Sequence, residues 1–309
     1  MKYIEYVNQL IRNEVKLAGR IVLFGQNINA GSCLSGLTKN LKVKSGLIIN
    51  TPNCENTLCG VGFGLMINGV PSIYFMKQQD FLLLGVDHLV NTYNLLRTKN
   101  VRGSFTIVSI IYDCGYGGGQ SALNNFADFC SIARIPGYTI TNAVDARTII
   151  NKHLISPGFR IIGVSQRLFN DELIQSVKGT PNRDGSLFQY TKGKDLTIVC
   201  FNFSFPYGWE LSQKLVPKRL QASLFSVNTL TPINWDQIMI NLKRTKKLVL
   251  IDDSKSANTA CDNFLATALD NCQIKKKLIL KRKFSQLWFK PQADNLKVNY
   301  SQVINKIIT

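Results

Sequence analysis

Short apolar runs alternate with stretches of helical spacing along this sequence. Near the amino terminus, apolar residues recur three and four positions apart, which predicts an amphipathic helix. The runs RIVLFG, GLIINTP, PSIYFM and SFTIVSIIYD follow it, and FRIIGVS comes later. They are apolar at nearly every position, as strands are when helices cover both faces of a parallel sheet. The pattern therefore predicts an α/β fold.

The alternation lapses over residues 177–195, where VKGTPNRDGSLFQYTKGKD contains turn-forming residues and no apolar period. A second series follows, in which LTIVCFNF, ASLFSVNTL, KKLVLIDDS and KKLILKRK are predicted strands between helical stretches. We therefore predict a first α/β domain at residues 1–176, a linker at 177–195 and a second α/β domain at 196–309. Each domain is expected to be a mainly parallel sheet covered by helices.

One helical stretch is longer than the others. The segment DFLLLGVDHLVNTYNLLR has apolar residues at helical spacing and begins with Asp80, a residue type that favours the N-cap position. We predict a single long helix that starts at Asp80.

Charge adds a constraint on partners. The chain of 309 residues carries 37 Lys and Arg against 19 Asp and Glu, a formal net charge of +18. Such a surplus favours anionic partners. However, the densest basic run, KKKLILKRK, is interrupted by an apolar triplet and is more typical of a strand with basic flanks than of a nucleic-acid arm. No nucleic-acid-binding motif is recognisable, so we predict no nucleic-acid partner.

Cysteine and histidine usage argues against a metal site. The eight cysteines are scattered without a CxxC pair, and the chain has only two histidines. The amino terminus lacks the apolar core of a signal peptide, and no apolar run approaches the length of a membrane span. We expect a cytoplasmic protein with reduced thiols and no membrane contact.

The segment NTPNCENTLCG places a single carboxylate, Glu55, between an apolar strand and the Gly-rich stretch GVGFGLMING. No Lys or Arg lies between Lys44 and Lys77. Burial raises the pKa of a carboxyl group, which suits a residue that shares a proton with a ligand. The alternative is that Glu55 caps the following helix, whose amino end also favours an acid.

Three segments together resemble the thiamine-diphosphate-dependent, transketolase-like family. They are TPNCENTLCGVGFGLMINGVPSIYFMKQQDFLLLGVDHLVN, then ARIPGYTITNAVDA, then TLTPINWDQIMINLKRTKKLVLIDDS. Their order and spacing are similar to the pyrimidine-binding and C-terminal domains of transketolases and 1-deoxyxylulose-5-phosphate synthases. They also resemble the beta subunits of 2-oxo acid dehydrogenase decarboxylases. The resemblance runs over nearly the whole chain and implies those two domain types for the two predicted domains.

The resemblance implies roles for individual residues. Glu55 would hydrogen-bond a ring nitrogen of the thiamine-diphosphate aminopyrimidine and act as the catalytic acid–base group. Phe81 would stack on the same ring, although ordinary core packing is the default for any phenylalanine. In the loop DCGYGGGQSALNN, Gln120 and Asn124 would lie at the active-site mouth and contact substrate. Arg134, in ARIPG, is a further candidate substrate contact.

The chain departs from the family pattern at an active-site histidine and at the GDG motif. The family histidine is missing near Asn124, and we expect both His88 and His153 to be structural. Asp252 and Asp253 could form a metal pair, but capping of a helix that begins near Ser254 fits better. Arg167 follows a strand, where the resemblance suggests a phosphate contact and the alternative is a solvated side chain.

The GDG motif, with which the family holds the diphosphate and Mg²⁺, is also absent. The resemblance therefore implies a partner, an alpha-like subunit that carries GDG, in an α₂β₂ heterotetramer with thiamine diphosphate at the interface. We predict a pyrimidine-binding subunit of a transketolase-type transferase that moves two-carbon units between carbonyl compounds. The alternatives are a 2-oxo acid dehydrogenase beta subunit and a non-catalytic scaffold.

Overall fold

The computed structural model describes residues 1–114, 124–174, 177–229, 234–256, 259–282 and 296–308. The first part of the chain forms a sheet of six strands in the order β2-β1-β3-β4-β6-β5, in which every neighbouring pair is parallel. The strands are β1 (Arg20–Gly25), β2 (Ser45–Asn50), β3 (Ser72–Met76), β4 (Ser104–Ile111), β5 (Gly137–Ile140) and β6 (Gly158–Ser165).

Successive strand residues point to opposite sides of this sheet, so apolar strands present apolar side chains on both faces. Helices cover both of these faces. The helices are α1 (Tyr3–Leu17), α2 (Glu55–Ile67), α3 (Tyr93–Leu96), α4 (Phe126–Ile132) and α5 (Ala143–His153). On one face, α1 and α5 pack in an apolar cluster with Leu23 and Phe75. On the other face, α2 and α4 pack in a second cluster with Phe24 and Tyr74. Most strands are therefore buried on both sides, as their continuous apolar runs predict. The exception is the edge strand β2, whose apolar run also predicts burial but whose residues are mostly exposed.

The prediction of one long helix that starts at Asp80 is wrong. The segment instead contains a 3₁₀ helix at Gln79–Gly85, a π-type turn at His88–Thr92 and the short α3. Gly85 packs so closely on α2 that an added Cβ would lie 2.7 Å from Cys59 Sγ. The segment therefore lies directly against α2. Asp80 lies inside the 3₁₀ helix rather than at its N-cap.

The second sheet also has six strands, in the order β12-β11-β9-β10-β8-β7. They are β7 (Thr180–Pro181), β8 (Leu187–Thr191), β9 (Leu196–Phe201), β10 (Ala222–Val227), β11 (Lys247–Asp252) and β12 (Lys276–Lys281). From β12 to β10 the neighbours are parallel, whereas β8 is antiparallel to β10 and β7 to β8. The interval 177–195, predicted as a linker, therefore supplies two strands to the second sheet.

The second sheet is likewise covered on both faces. Its helices are α6 (Phe205–Leu215), α7 (Asp236–Thr245), α8 (Ala260–Asn271) and α9 (Tyr300–Ile308). One apolar cluster contains α6 and α9, and another contains α7 and α8. The prediction of two mainly parallel sheets covered by helices is thus confirmed. Among the helices in the described ranges, none is long and apolar enough to cross a membrane.

The two sheets meet along β5 and the residues after β10. The amide of Thr139 donates to the carbonyl of Asn228 at 2.8 Å, and Asn228 Nδ2 donates back to the carbonyl of Thr139 at 2.8 Å. Asn142 Nδ2 donates to the hydroxyl of Tyr190, on β8, at 2.7 Å. The apolar cluster under α1 and α5 continues into the second sheet. Polar and apolar contacts thus join the two sheets.

Candidate functional site

Glu55 is the first residue of α2 and lies beyond the carboxyl end of β2. It is only 6% exposed. Within the described part of the chain, its carboxylate makes no hydrogen bond or ion pair, and Cys54, at the N-cap, has no capping hydrogen bond from its side chain. A buried carboxylate ordinarily finds a partner, because burial without one is costly. Glu55 does stand in the first turn of α2, where the helix favours an acid, but no hydrogen bond supports the capping alternative.

The Gly-rich sequence of α2 allows the helix to lie directly on the sheet. A Cβ at Gly62 would lie 2.2 Å from the ring of Phe105 on β4. A Cβ at Gly60 would lie 2.9 Å from His88 Nε2, and His88 Nδ1 is 2.9 Å from Thr92 Oγ1. These small residues bring α2, and with it Glu55, close against β4 and the segment that follows β3.

Phe81 lies in the 3₁₀ helix Gln79–Gly85, beyond the carboxyl end of β3. It is partly buried against the apolar cluster that contains α2. A Cβ at Gly85, at the end of this 3₁₀ helix, would lie 3.4 Å from the carbonyl oxygen of Glu55. The fold therefore brings Glu55 and Phe81 to the same face and the same edge of the first sheet.

Two titratable groups near Glu55, Cys59 and Tyr74, are uncharged. Burial, and then the charge of Glu55, raise the pKa of the Cys59 thiol to about 12. Burial and then the nearby Cys59 and Glu55 raise the pKa of the Tyr74 hydroxyl well above its ordinary range. Both groups therefore stay protonated at neutral pH. Glu55 is an acid in an apolar, neutral environment.

The remaining predicted contacts lie elsewhere. Gln120 falls outside the described residues. Asn124 is fully buried, where its Nδ2 donates to the carbonyl of Asp253 at 2.9 Å and its Oδ1 accepts from Asn202 Nδ2 at 2.6 Å. Arg134 is an exposed turn residue with a φ of 50° that precedes β5, at the amino edge of the sheet. The structure thus does not bring Arg134 to the carboxyl edge, where Glu55 lies.

Sequence reasoning missed a buried ion cluster at the carboxyl edges of both sheets. Arg167 Nη2 lies 2.7 Å from Asp253 Oδ2, and Arg167 Nε lies 3.6 Å from Asp113 Oδ2. Ser165 Oγ donates to Asp113 Oδ2 at 2.6 Å. Burial raises the pKa of Asp113, and the Arg167 charge opposes that rise. Two buried carboxylates therefore hold Arg167, whose side chain is only 17% exposed.

Lys255 lies beside this cluster. Its backbone amide donates to the carbonyl of Asn124 at 2.7 Å. Burial, and then the charge of Arg282, lower the pKa of Lys255 to about 8, while Asp80 and Asp113 act in the opposite direction. No local sequence signal marks this lysine, because its neighbours come from distant segments.

The described residues offer no metal centre. No group of three or more His, Cys, Asp or Glu side chains within the described ranges could hold a metal ion, and all eight cysteines are free. Asp252 Oδ1 accepts from the amide of Ser254 at 2.9 Å, and its Oδ2 accepts from the amide of Cys261, in the first turn of α8, at 3.1 Å. Asp252 thus contacts the first turn of α8, but the predicted helix start near Ser254 is wrong, because α8 begins at Ala260 with Thr259 as its N-cap.

A polar cavity of about 280 Å³ opens at the carboxyl edge of the first sheet. It lies between the segments that follow β1, β3, β4 and β6, which contribute Asn27, Lys77, Tyr112 and Gln166, respectively. Glu55 does not line it. In parallel α/β sheets, ligands bind at this edge. The edge therefore combines an open polar cavity with a separate buried acid.

Comparison with known proteins shows distant relatives over most of the chain. No family model matches. The pyruvate dehydrogenase E1 component subunit beta of Acholeplasma laidlawii is 24% identical over 262 residues, which span 81% of this chain and 79% of the relative. The 2-oxoisovalerate dehydrogenase subunit beta of Bacillus subtilis (strain 168) is 20% identical over 285 residues, which span 88% of this chain and 85% of the relative.

Solved structures share the fold. A split gene transketolase, described as an inactive beta4 tetramer, superposes with a TM-score of 0.72 at 14% identity, over 98% of this chain and 96% of that chain. The comparisons of sequence and fold confirm the predicted resemblance of this chain to the transketolase-like family of thiamine-diphosphate enzymes.

Proposed function

We propose that this chain is the pyrimidine-binding, beta-like subunit of a two-chain thiamine-diphosphate enzyme that decarboxylates a 2-oxo acid. The sequence relatives named above are beta subunits of pyruvate and 2-oxoisovalerate dehydrogenases. They support the 2-oxo acid alternative better than the two-carbon transfer that we predicted first. The observation that carries the proposal is that Glu55 is buried and that its carboxylate has no partner among the described residues.

The residues present fit the aminopyrimidine end of thiamine diphosphate. A ring nitrogen would give the Glu55 carboxylate the hydrogen bond that the described protein residues do not supply. Phe81, at the same edge, offers an aromatic face for the ring. In enzymes of this kind the cofactor supplies the carbanion stabilisation that decarboxylation requires. The role of Glu55 is to hold and share a proton at the ring nitrogen.

The other half of the site belongs to a partner in this proposal. The chain has no GDG motif, and the described residues contain no metal cluster. The diphosphate and Mg²⁺ would therefore be held by an alpha-like subunit that carries GDG. We propose an α₂β₂ assembly, in which each cofactor lies between one chain of each kind.

Glu55→Gln tests the proposal in the complex of this chain with its alpha-like partner. Glutamine keeps the shape but cannot exchange the proton, so 2-oxo acid turnover should fall by about 100-fold or more. Turnover is measured with an artificial electron acceptor, and assembly by size-exclusion chromatography. Glu172→Gln, at an exposed acid, is the matched control and should keep full activity. Near-normal turnover in the Glu55→Gln complex would contradict the proposal.

Two-carbon transfer remains the second candidate, because the fold neighbour named above is a split gene transketolase. Assays of one complex with pyruvate, with branched 2-oxo acids and with ketose phosphates separate the two reactions. A complex that binds no thiamine diphosphate would instead support the scaffold alternative.

A further inference from the structure

A second cavity, of about 230 Å³, lies at the amino edge of the second sheet. Lys247 and Lys276 begin β11 and β12, and Lys277 and Lys306 complete a rim of four lysines. The floor is apolar and includes Leu278 and Ile307, together with a leucine from each of β9 and β11. We call this feature the lysine-rimmed pocket. It lies at the opposite ends of the strands from Asp253, which follows β11.

The rim is positively charged, and the described residues supply no counter-charge to it. Lys247 and Lys276 are register partners on neighbouring strands, a placement that is unfavourable for like charges. None of the four rim lysines forms an ion pair with an acid in the part of the chain that the structure describes. Lys247 Nζ lies 3.4 Å from the carbonyl oxygen of Ile307, at the end of α9. An anionic partner would relieve the repulsion between these lysines.

The volume and the apolar floor of the lysine-rimmed pocket indicate what kind of group it can bind. Pockets for drug-sized ligands span roughly 300–1,000 Å³, so this one is better matched to a single apolar side chain. Protein interfaces often anchor one such side chain in a pocket surrounded by polar contacts. Lysines on an edge strand also discourage strand pairing, but that role requires no apolar floor.

We propose that the lysine-rimmed pocket binds an acidic protein segment that inserts one apolar side chain between the lysines. The net charge of +18 favours an acidic partner over a basic one. A nucleic acid fits less well, because no aromatic ring lines the pocket to stack on a base. The proposal does not depend on the chemistry of Glu55, which lies at the start of α2, beside the first sheet.

Fluorescence anisotropy of a labelled peptide mixed with the full-length chain tests whether the lysine-rimmed pocket binds an acidic segment. The probe has three glutamates on each side of a phenylalanine, and a second peptide has serine in place of the phenylalanine. Burial of the phenylalanine should make the first peptide bind about tenfold more tightly. The double variant Lys276→Glu/Lys306→Glu should weaken binding of the first peptide by about tenfold or more.

The matched control, Lys16→Glu/Lys99→Glu, reverses two exposed lysines on the first part of the chain and should bind nearly as the wild type does. Leu278→Trp fills the floor, so it should remove the preference for phenylalanine while the circular dichroism spectrum stays unchanged. Equal loss in the control pair, or equal affinity for both peptides, would reduce the effect to general charge attraction and overturn the proposal. Tighter, rim-dependent binding of a 20-nucleotide single-stranded DNA would overturn it in favour of a nucleic-acid site.

Discussion

Among the buried acids of this protein, Glu55 differs from Asp145 and Asp252 in its partners. Asp145 accepts from the amide of Asn142 at 3.0 Å and from Asn228 Nδ2 at 2.9 Å. Asp252 accepts from two backbone amides. Hydrogen bonds to a carboxylate offset the cost of its burial. Glu55 lacks them within the described residues, which is why we assign a ligand to it and a structural role to the other two.

Asp252→Asn tests the structural role through pH. Burial raises the pKa of Asp252 to about 6, against an ordinary value of 3.8. Between these two values the folded protein binds more protons at this group than the unfolded chain does, so wild-type stability falls as pH rises. The stability of Asp252→Asn relative to wild type should therefore rise by about 2 kcal/mol from pH 4 to pH 7.

Urea unfolding at four pH values across this range provides the measurement. Asp236→Asn, at the exposed first residue of α7, is the control. A constant offset between Asp252→Asn and wild type at every pH would contradict the assignment.

At the scale of elements, the apolar runs and their polar interruptions predicted most strands and helices, because each element buries a local, periodic set of side chains. The exceptions depend on tertiary contacts. The segment after Asp80 is not one long helix but a 3₁₀ helix, a π-helix and a short α-helix, and its Gly85 packs against Cys59 of α2. The strands β7 and β8 lie in a stretch without apolar period, and they exist because β8 pairs with β10.

The same limit applies to the site. Glu55 and Phe81 stand in a local motif, so the family resemblance could suggest them. Arg167 contacts Asp113 and Asp253, which are 54 and 86 residues away along the chain. No local pattern encodes such a contact, and an arginine after a strand is equally consistent with a solvated side chain or a phosphate contact.

The packing of α2 on β4 predicts opposite effects at two glycines of one helix. Gly62→Ala would place a Cβ 2.2 Å from the Phe105 ring and should destabilise the protein by about 1–3 kcal/mol. A Cβ at Gly64 would meet nothing within 4 Å, so Gly64→Ala should stabilise by up to about 1 kcal/mol through helix propensity. Thermal unfolding of the two variants measures both effects. Similar shifts of the same sign would show that α2 does not lie against Phe105 as described.

At the scale of the whole molecule, a few buried polar contacts hold the two sheets in one arrangement. Arg167 joins the end of β4 to the end of β11 through Asp113 and Asp253. Asn228 joins the residues after β10 to β5. These contacts fix the relation between the two carboxyl edges, on which any site shared with a partner subunit depends.

Arg167→Met tests the strength of this connection. Methionine would leave Asp113 and Asp253 buried without their cation, so the protein should lose about 3–5 kcal/mol of stability. Urea unfolding measures the loss, and the exposed Arg183→Met serves as control. A loss below about 1 kcal/mol would place the pair among weak surface ion pairs.

The packing of α1 against α5 also determines when α1 can be buried during biosynthesis. The buried face of α1 contains Val7, Ile11 and Val15, and the hydroxyl of Tyr3 donates to the carbonyl of Ile140 at 2.8 Å. Those contacts with β5 and α5 are made by chain that emerges from the ribosome long after α1. At about 5–20 residues per second, the interval between Leu17 and Ala143 lasts roughly 6–25 s. During that interval the amphipathic helix α1 lacks part of the partner surface that buries its apolar face.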